Sequence, residues 1–209
     1  MKNFLLIIGC LVSFKIVAQQ RVVAEATINY SIAADSSNTD KGFAESLNNS
    51  SKTVYIKGNE SRVDLISKAF KQSSFFDKSK SEAVVLREIG DNKYLTRLSK
   101  EVWLKMNQKY EEATLVKLNE EKSILGFECK KAIIQLKDKS EIIVYYTLAI
   151  TPSVKEYEYQ FKNIPGFVLE YNTVESGNII IYRATKINLS PVPSHYFDKP
   201  TTGYRLLDY

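Results

Sequence analysis

The stretch Asn163-Ile164-Pro165-Gly166-Phe167-Val168-Leu169-Glu170-Tyr171 decides the fold that this sequence predicts. Pro165 fixes φ near about −65°, and Gly166 permits positive φ, which together are the chemistry of a type II turn. After the turn, Phe167, Leu169 and Tyr171 fall on one face of an extended segment and Glu170 falls on the other. The stretch therefore predicts a stiff turn that leads directly into a half-buried β-strand.

Alternation of apolar and polar residues recurs along most of the chain. The first run is 24–32, and turn residues such as Gly58-Asn59 and Gly90-Asp91 separate later runs. Strands are predicted in the following ranges: 24–32, 53–66 with its turn, 82–98 with its turn, 102–106, 113–118, 122–136, 141–150, 157–161, 167–171 and 179–189. Segments 33–51 and 67–81 are polar and predict loops.

The predicted fold is mainly β, with little helix outside the N-terminus. About ten strands built from consecutive hairpins favour a single antiparallel sheet. Because strand twist accumulates, a sheet of this size is expected to be strongly curved or to form an incomplete barrel.

The N-terminus has the features of a secretory signal peptide. Lys2 precedes an apolar run from Phe4 to Phe14, and Ala18 offers a cleavage site. We therefore predict a signal peptide over 1–19, a single β-rich domain over 20–209, and export to the periplasm, the outer membrane or the extracellular space. An alternative is a lipobox ending at Cys10, which would make that cysteine a lipidation site. No later segment is apolar enough to span a membrane.

Composition argues against several classes of function. The formal net charge of +5 falls to +3 when Lys2 and Lys15 leave with the signal peptide, and the lysines form no stripe, so no nucleic-acid partner is expected. His195 is the only histidine, which disfavours paired-histidine metal sites and acid/base relays. We predict no catalytic residues, no metal and no cofactor, and a protein that is not an enzyme.

Cys129 would be the sole cysteine of the mature chain, so no intramolecular disulfide is expected. It is interpreted as a buried small apolar side chain. The alternative is a thiol activated by Lys130 or Lys131, and a thiol-dependent enzyme would have to use it. Glu156, Glu158 and Glu170 are interpreted as a solvated strand face rather than a carboxylate site.

The opening motif resembles the signature of the GLPGLI family of exported bacterial proteins. Asn163, Ile164, Phe167 and Val168 stand where that signature has Gly, Leu, Leu and Ile, around the shared Pro165 and Gly166. A second block, from Lys122 through Cys129 to Ala132, is similar to the cysteine-containing segment of the same family, and the Tyr145-Tyr146-Thr147 triplet is similar to its aromatic pair. The resemblance implies an exported β-rich protein with no assigned activity.

The C-terminal tail, in which Phe197, Pro200 and Gly203-Tyr204 follow one another, is similar to the ending of lipoprotein carriers of the LolA type. With the abundant tyrosines, this favours a protein that binds a lipid, a lipopeptide or another apolar ligand, or an envelope protein, within a curved sheet. Phe75 and Phe76 are candidate contacts for such a ligand or partner, or else fold back over the core. An alternative function is assembly through an exposed sheet edge.

Overall fold

A computed structural model describes residues 21–35, 41–175 and 177–208. The predicted signal peptide and Cys10 lie outside the described residues. Two short helices are present in the described part, α1 (Lys41–Ser46) and α2 (Lys100–Met106). The strands are β1 (Arg21–Val23), β2 (Glu25–Ala34), β3 (Ser51–Lys57), β4 (Glu60–Ile66), β5 (Lys71–Asp77), β6 (Glu82–Ile89), β7 (Asn92–Leu98), β8 (Thr114–Ile124), β9 (Phe127–Gln135), β10 (Glu141–Thr147), β11 (Ile150–Pro152), β12 (Phe167–Glu175), β13 (Asn178–Asn188) and β14 (Arg205–Leu207).

Twelve of the described strands form one large sheet in the order β14-β7-β6-β5-β4-β3-β2-β13-β12-β10-β9-β8. All of its pairings are antiparallel except that of β14 with β7. The mainly β, mostly antiparallel prediction is confirmed. The sheet is open rather than closed into a barrel, because β8 and β14 lie at opposite edges, and it has more strands than the ten expected. β1 and β11 form a separate parallel pair.

The β2 strand shows why the alternating pattern was informative. Ala26, Ile28 and Tyr30 are buried, and the residues between them are partly exposed. The hairpin between β3 and β4 turns at Gly58, whose φ is +58°, and the hairpin between β6 and β7 turns at Gly90, whose φ is +55°. The left-handed region that these turns require is open to glycine without a steric cost.

The structure corrects five predictions of secondary structure. Segment 33–51, predicted to be a loop, contains α1. Segment 122–136, predicted to be one strand, is divided by a turn at Leu125-Gly126, where β8 ends and β9 follows. Segment 102–106 is part of α2, not a strand, because Ser99 caps the helix by accepting a hydrogen bond from the Val102 amide. Segment 67–81, predicted to be a loop, contains β5. Segment 157–161 forms two 3₁₀ turns, Lys155–Tyr157 and Tyr159–Phe161, although its aromatic side chains are buried as the alternation suggested.

The C-terminal tail crosses the sheet and adds its edge strand. A 3₁₀ turn at Ser194–Phe197 places Tyr196 in a stack on Tyr55, with ring centroids 4.8 Å apart. The guanidinium of Arg62 donates a hydrogen bond to the Tyr196 carbonyl. Further on, the Tyr204 hydroxyl donates to Glu88, immediately before β14 pairs with β7. The tail is thus part of the folded domain.

Candidate ligand-binding face

One face of the sheet is covered by α2 and by the two 3₁₀ turns of 155–161, and we call it the inner face. Strand register places Lys52, Leu65, Gln72, Arg87 and Tyr94 in one row across β3 to β7. A second row, two residues further along each strand, runs from Val54 on β3 to Thr96 on β7. Side chains two residues apart in a strand share a face, so both rows belong to the inner face.

Lys52 is the most unusual side chain of the inner face, because it is charged and only 2% exposed. Its Nζ forms an ion pair with Glu158 and donates a 2.6 Å hydrogen bond to the Tyr171 hydroxyl. The same atom lies 4.7–5.4 Å from the ring centroids of Tyr30, Tyr171 and Tyr182. Three rings and one carboxylate therefore replace the water that the ammonium loses on burial.

Burial sets the protonation of this group of residues. Loss of solvent lowers the pKa of Lys52, and the Glu158 carboxylate opposes that shift. Burial also raises the pKa of Tyr30 and of Tyr171 well above the ordinary tyrosine value, so both phenols are protonated at neutral pH. The Tyr30 hydroxyl accordingly donates a 2.7 Å hydrogen bond to the Val168 carbonyl.

A cavity of about 250 Å³ opens beside this ion pair, and we call it the aromatic cavity. It is lined by Lys52, Val63, Leu65, Gln72, Ser74, Trp103, Asn107, Tyr110, Tyr157, Glu158, Tyr159, Gln160, Tyr171 and Tyr182. Trp103 of α2 stacks on Phe76 with ring centroids 5.2 Å apart and meets Tyr159 edge to face at 6.2 Å. Its indole Nε1 is buried and has no hydrogen-bond partner among the described residues.

A second depression of about 380 Å³ lies on the inner face, and we call it the apolar groove. Its lining is Val85, Arg87, Ile89, Tyr94, Thr96, Leu98, Met106, Leu207 and Asp208. Three of its apolar side chains are well exposed: Ile89 at 47%, Met106 at 43% and Leu207 at 40%. Large apolar side chains that share one depression are typical of binding surfaces.

Charge is distributed unevenly along the apolar groove. Register places Arg205 beside Tyr94, which is itself paired with Arg87, so two arginines lie in one row, between Ile89 and Val85 of β6. Asp208 is three residues beyond Arg205, about 10 Å away at the strand rise of about 3.3 Å per residue. Arg87 is exposed, and its guanidinium donates to a neutral partner, the Gln72 amide oxygen, at 2.7 Å.

Helix α2 lies between the two depressions, since it contributes Trp103 to the aromatic cavity and Met106 to the apolar groove. None of its residues is buried. Sequence reasoning missed this helix, although Ser99 followed by Glu101 and later Lys105 is a recognisable capping and charge pattern.

The family-like motif is placed in the core rather than at a site. Ile164, Phe167 and Val168 are each at most 1% exposed. The predicted type II turn is wrong, because Gly166 does not adopt positive φ. Glycine is required for another reason: a Cβ on Gly166 would lie 1.9 Å from the Thr147 carbonyl oxygen. The strand that follows is buried on both faces from Phe167 to Tyr171, not half-buried.

All three glutamates that were interpreted as a solvated face are in ion pairs. Glu156 lies 4.0 Å from the exposed Lys78. Glu158 pairs with Lys52, as described above. Glu170 is 8% exposed and is held between Lys122 and Arg183. The alternation of apolar and polar residues could not predict these ion pairs. Lys52 lies between polar residues in the sequence, and the residues that it contacts come from distant parts of the chain.

The other candidate residues are also interior. Cys129 is fully buried, and burial raises the pKa of its thiol to about 11, which agrees with a packing role. Phe76 is 7% exposed beneath Trp103, and Phe75 is 3% exposed beneath the Arg62 guanidinium. The two phenylalanines therefore belong to β5 rather than to a protruding loop. Among the described residues, no three potential ligand side chains cluster to hold a metal.

The edge strand β8 is long, at eleven residues, and it pairs only with β9 in the described sheet. Its register shifts between Lys117 and Glu121. Charged side chains and an irregularity of this kind are devices that discourage pairing with another chain. No helix of the described chain is long and apolar enough to cross a membrane.

Comparisons with known proteins support the fold alone. No family model matches the chain, and no curated protein matches its sequence. An uncharacterised conserved protein from Thermus thermophilus superposes with a TM-score of 0.52 at 7% identity, over 90% of this chain and 91% of that one. PNGF-II superposes with a TM-score of 0.51 at 12% identity over 89% of this chain, which spans only 32% of the PNGF-II chain.

The Mycobacterium tuberculosis lipoprotein LppX superposes with a TM-score of 0.33 at 12% identity, covering 82% of this chain and 89% of its own. A superposition at that level does not establish a common fold. The GLPGLI resemblance and the LolA-type resemblance therefore remain predictions from the sequence.

Proposed function

We propose that this protein is an exported, non-enzymatic binding protein whose apolar groove holds the single acyl chain of an amphiphile with an anionic head group. The observation that carries the proposal is the groove itself. Apolar side chains from β6, β7, α2 and β14 line it, and a row that contains Arg87 and Arg205 crosses it between Ile89 and Val85. Export rests on the predicted signal peptide at 1–19.

The volume and lining suit one chain rather than a whole diacyl lipid. Ligand cavities in proteins are typically about 300–1,000 Å³, so 380 Å³ lies near the lower limit. Each methylene removed from water contributes about 0.8 kcal/mol, which corresponds to about fourfold in affinity. From that increment we estimate that burial of about eight to twelve carbons in the apolar groove is enough for measurable binding, with no part of the ligand in the aromatic cavity.

Head-group preference follows from the arginines. A carboxylate or phosphate near Arg87 and Arg205 gains a charge-assisted hydrogen bond, and the planar guanidinium matches its geometry. Because both arginines are at least partly exposed, we expect the gain to be modest, about 0.5–1 kcal/mol. A cationic head group beside the two arginines would be repelled by a comparable amount.

Isothermal titration with decanoate, decanol and decyltrimethylammonium tests the proposal. Decanoate should bind most tightly, decanol several-fold more weakly, and the cationic amphiphile weakest of the three. Affinity for carboxylates should rise about fourfold per methylene until the groove is full. Equal affinity for the three heads, or no dependence on chain length, would refute it.

Matched variants locate the binding. Ile89→Glu places a charge in the groove and should abolish decanoate binding. Val174→Glu makes the same substitution at another exposed apolar side chain, 62% exposed on β12 and outside the groove, and should bind decanoate like the wild type. Equal losses in both variants would assign decanoate to nonspecific contact with the sheet.

A further inference from the structure

The aromatic cavity is chemically different from the apolar groove and has no evident use in holding an acyl chain. Only Val63 and Leu65 among its fourteen lining residues are aliphatic. An acyl chain in this cavity would leave amide, hydroxyl and indole groups without hydrogen bonds, and each such group costs free energy when it is buried. The cavity therefore suits a ligand that is polar at its edges.

The described lining of the cavity also carries no net charge. Among the described residues that line it, Lys52 and Glu158 are the only charged ones, and they neutralise each other in a direct ion pair. A charged ligand would lose hydration on entry and find no unmatched opposite charge. An uncharged ligand avoids that loss.

Hydrogen-bonding capacity in the cavity is mixed. The hydrogen-bonding groups that a ligand can use are side chains of the cavity lining. The side-chain amides of Asn107 and Gln160 offer both donors and acceptors, and the Glu158 carboxylate accepts. Hydroxyl groups both donate and accept, so a ligand that carries several of them matches this set.

The shape of the aromatic side chains limits the ligand further. The rings of Trp103 and Tyr159 stand at 82° to one another and form a corner beside the cavity. Aromatic rings present an extended apolar face while the tyrosines keep a polar tip. The volume of about 250 Å³ is below the usual range for larger ligands, so one ring fits better than a chain of rings.

We propose that the aromatic cavity binds an uncharged, polyhydroxylated ring, a monosaccharide or the terminal sugar of a glycan. The C–H face of the sugar packs on the aromatic corner, and its hydroxyl groups bond to Asn107 and Gln160. This site is separate from the apolar groove and does not depend on the function proposed for that groove.

The test uses the chain's only tryptophan as the reporter. The full chain is titrated with the methyl glycosides of glucose, galactose, mannose and N-acetylglucosamine, with glucuronate, glucosamine and adenosine as comparisons, and Trp103 emission is recorded. At least one neutral glycoside should change the emission saturably with a Kd of about 1–10 mM. The charged sugars should bind at least about tenfold more weakly.

Gln160→Ala should weaken the preferred glycoside about fivefold or more, while Gln135→Ala, an exposed glutamine on β9 outside the cavity, should leave its Kd unchanged. The proposal is overturned if no neutral glycoside alters Trp103 emission up to about 50 mM. It is also overturned if adenosine or a charged sugar is the better ligand, or if the two glutamine variants bind alike.

Discussion

Gly166→Ala should be among the most destabilising single substitutions in this protein, although it adds only one methyl group. The added Cβ would lie 1.9 Å from the Thr147 carbonyl oxygen and 2.8 Å from its carbonyl carbon. Because real Cβ contacts essentially never fall below 3.0 Å, the backbones must separate by more than about 1 Å. The two backbone segments are held in place, because Thr147 pairs with Phe167 in the register of β10 and β12. Thr147 and Phe167 are also buried.

The expected loss follows from that displacement. Overpacking a well-packed site costs about 1–3 kcal/mol and more where backbone must move, so we expect a loss of about 3 kcal/mol or more. In a domain of this size, about 1 kcal/mol shifts Tm by about 2–4 °C, which gives a fall of about 6–12 °C. Thermal unfolding followed by circular dichroism measures it.

Gly58→Ala is the matched control. Gly58 has φ of +58°, and nothing lies within 4 Å of the position that an added Cβ would take, so only the left-handed backbone is penalised. That conformation costs about 1–2 kcal/mol for a residue with a Cβ. If Gly166→Ala lowers Tm no more than Gly58→Ala does, the close approach to Thr147 is not the reason for glycine at this position.

Three further predictions concern charge and burial. Glu158→Gln leaves Lys52 buried without a counter-charge, so the free energy of unfolding measured by chemical denaturation should fall by about 3 kcal/mol. Adding Lys52→Met to that variant should recover at least half of the loss. If the effects of the two substitutions are fully additive, the pairing of Lys52 with Glu158 is contradicted. The hydrogen bond from Tyr204 lowers the pKa of Glu88 in the folded protein. The stabilisation of the fold by this bond is therefore present above the Glu88 pKa of the unfolded chain, about 4.3, and is lost as pH falls through the lower pKa of the folded protein. Tyr204→Phe should therefore raise the Glu88 pKa in an NMR titration and destabilise the protein at pH 6 by about 1 kcal/mol, but not at strongly acidic pH; an unchanged pKa would refute the contact. Cys129 should react with a bulky maleimide only in denaturant, and rapid labelling of the folded protein would contradict its burial.

The sequence predicted those parts of the fold that depend on local periodicity. Ala26, Ile28 and Tyr30 alternate with polar residues because one face of β2 meets the core, and this signal is legible without tertiary information. Turns at Gly58 and Gly90 were equally legible, because positive φ restricts the residue type.

The errors have physical reasons as well. β5 is rich in serine and glutamine because its inner-face residues, Gln72 and Ser74, line a polar cavity, so it resembles a loop. The α2 helix is a single short element whose apolar residues also fit an extended pattern. At Gly166 the turn chemistry was plausible, but the close approach of Thr147, from the preceding strand of the sheet, determines the residue.

The candidate site was less predictable than the fold. An apolar ligand was expected from composition, but the residues proposed for it, Phe75 and Phe76, lie inside the protein. The Lys52–Glu158 pair and the groove beside Met106 arise from segments far apart in the chain. No pattern in a single sequence brings such residues together.

The groove can be tested directly at Met106, because the chain has only two methionines, Met1 and Met106. A protein labelled with ¹³C at its methionine methyl groups is titrated with a long-chain carboxylate that carries a nitroxide on its acyl chain. Binding in the apolar groove predicts saturable broadening of the Met106 methyl resonance, relieved by excess decanoate. Binding of the amphiphile with an unbroadened Met106 resonance would contradict the account.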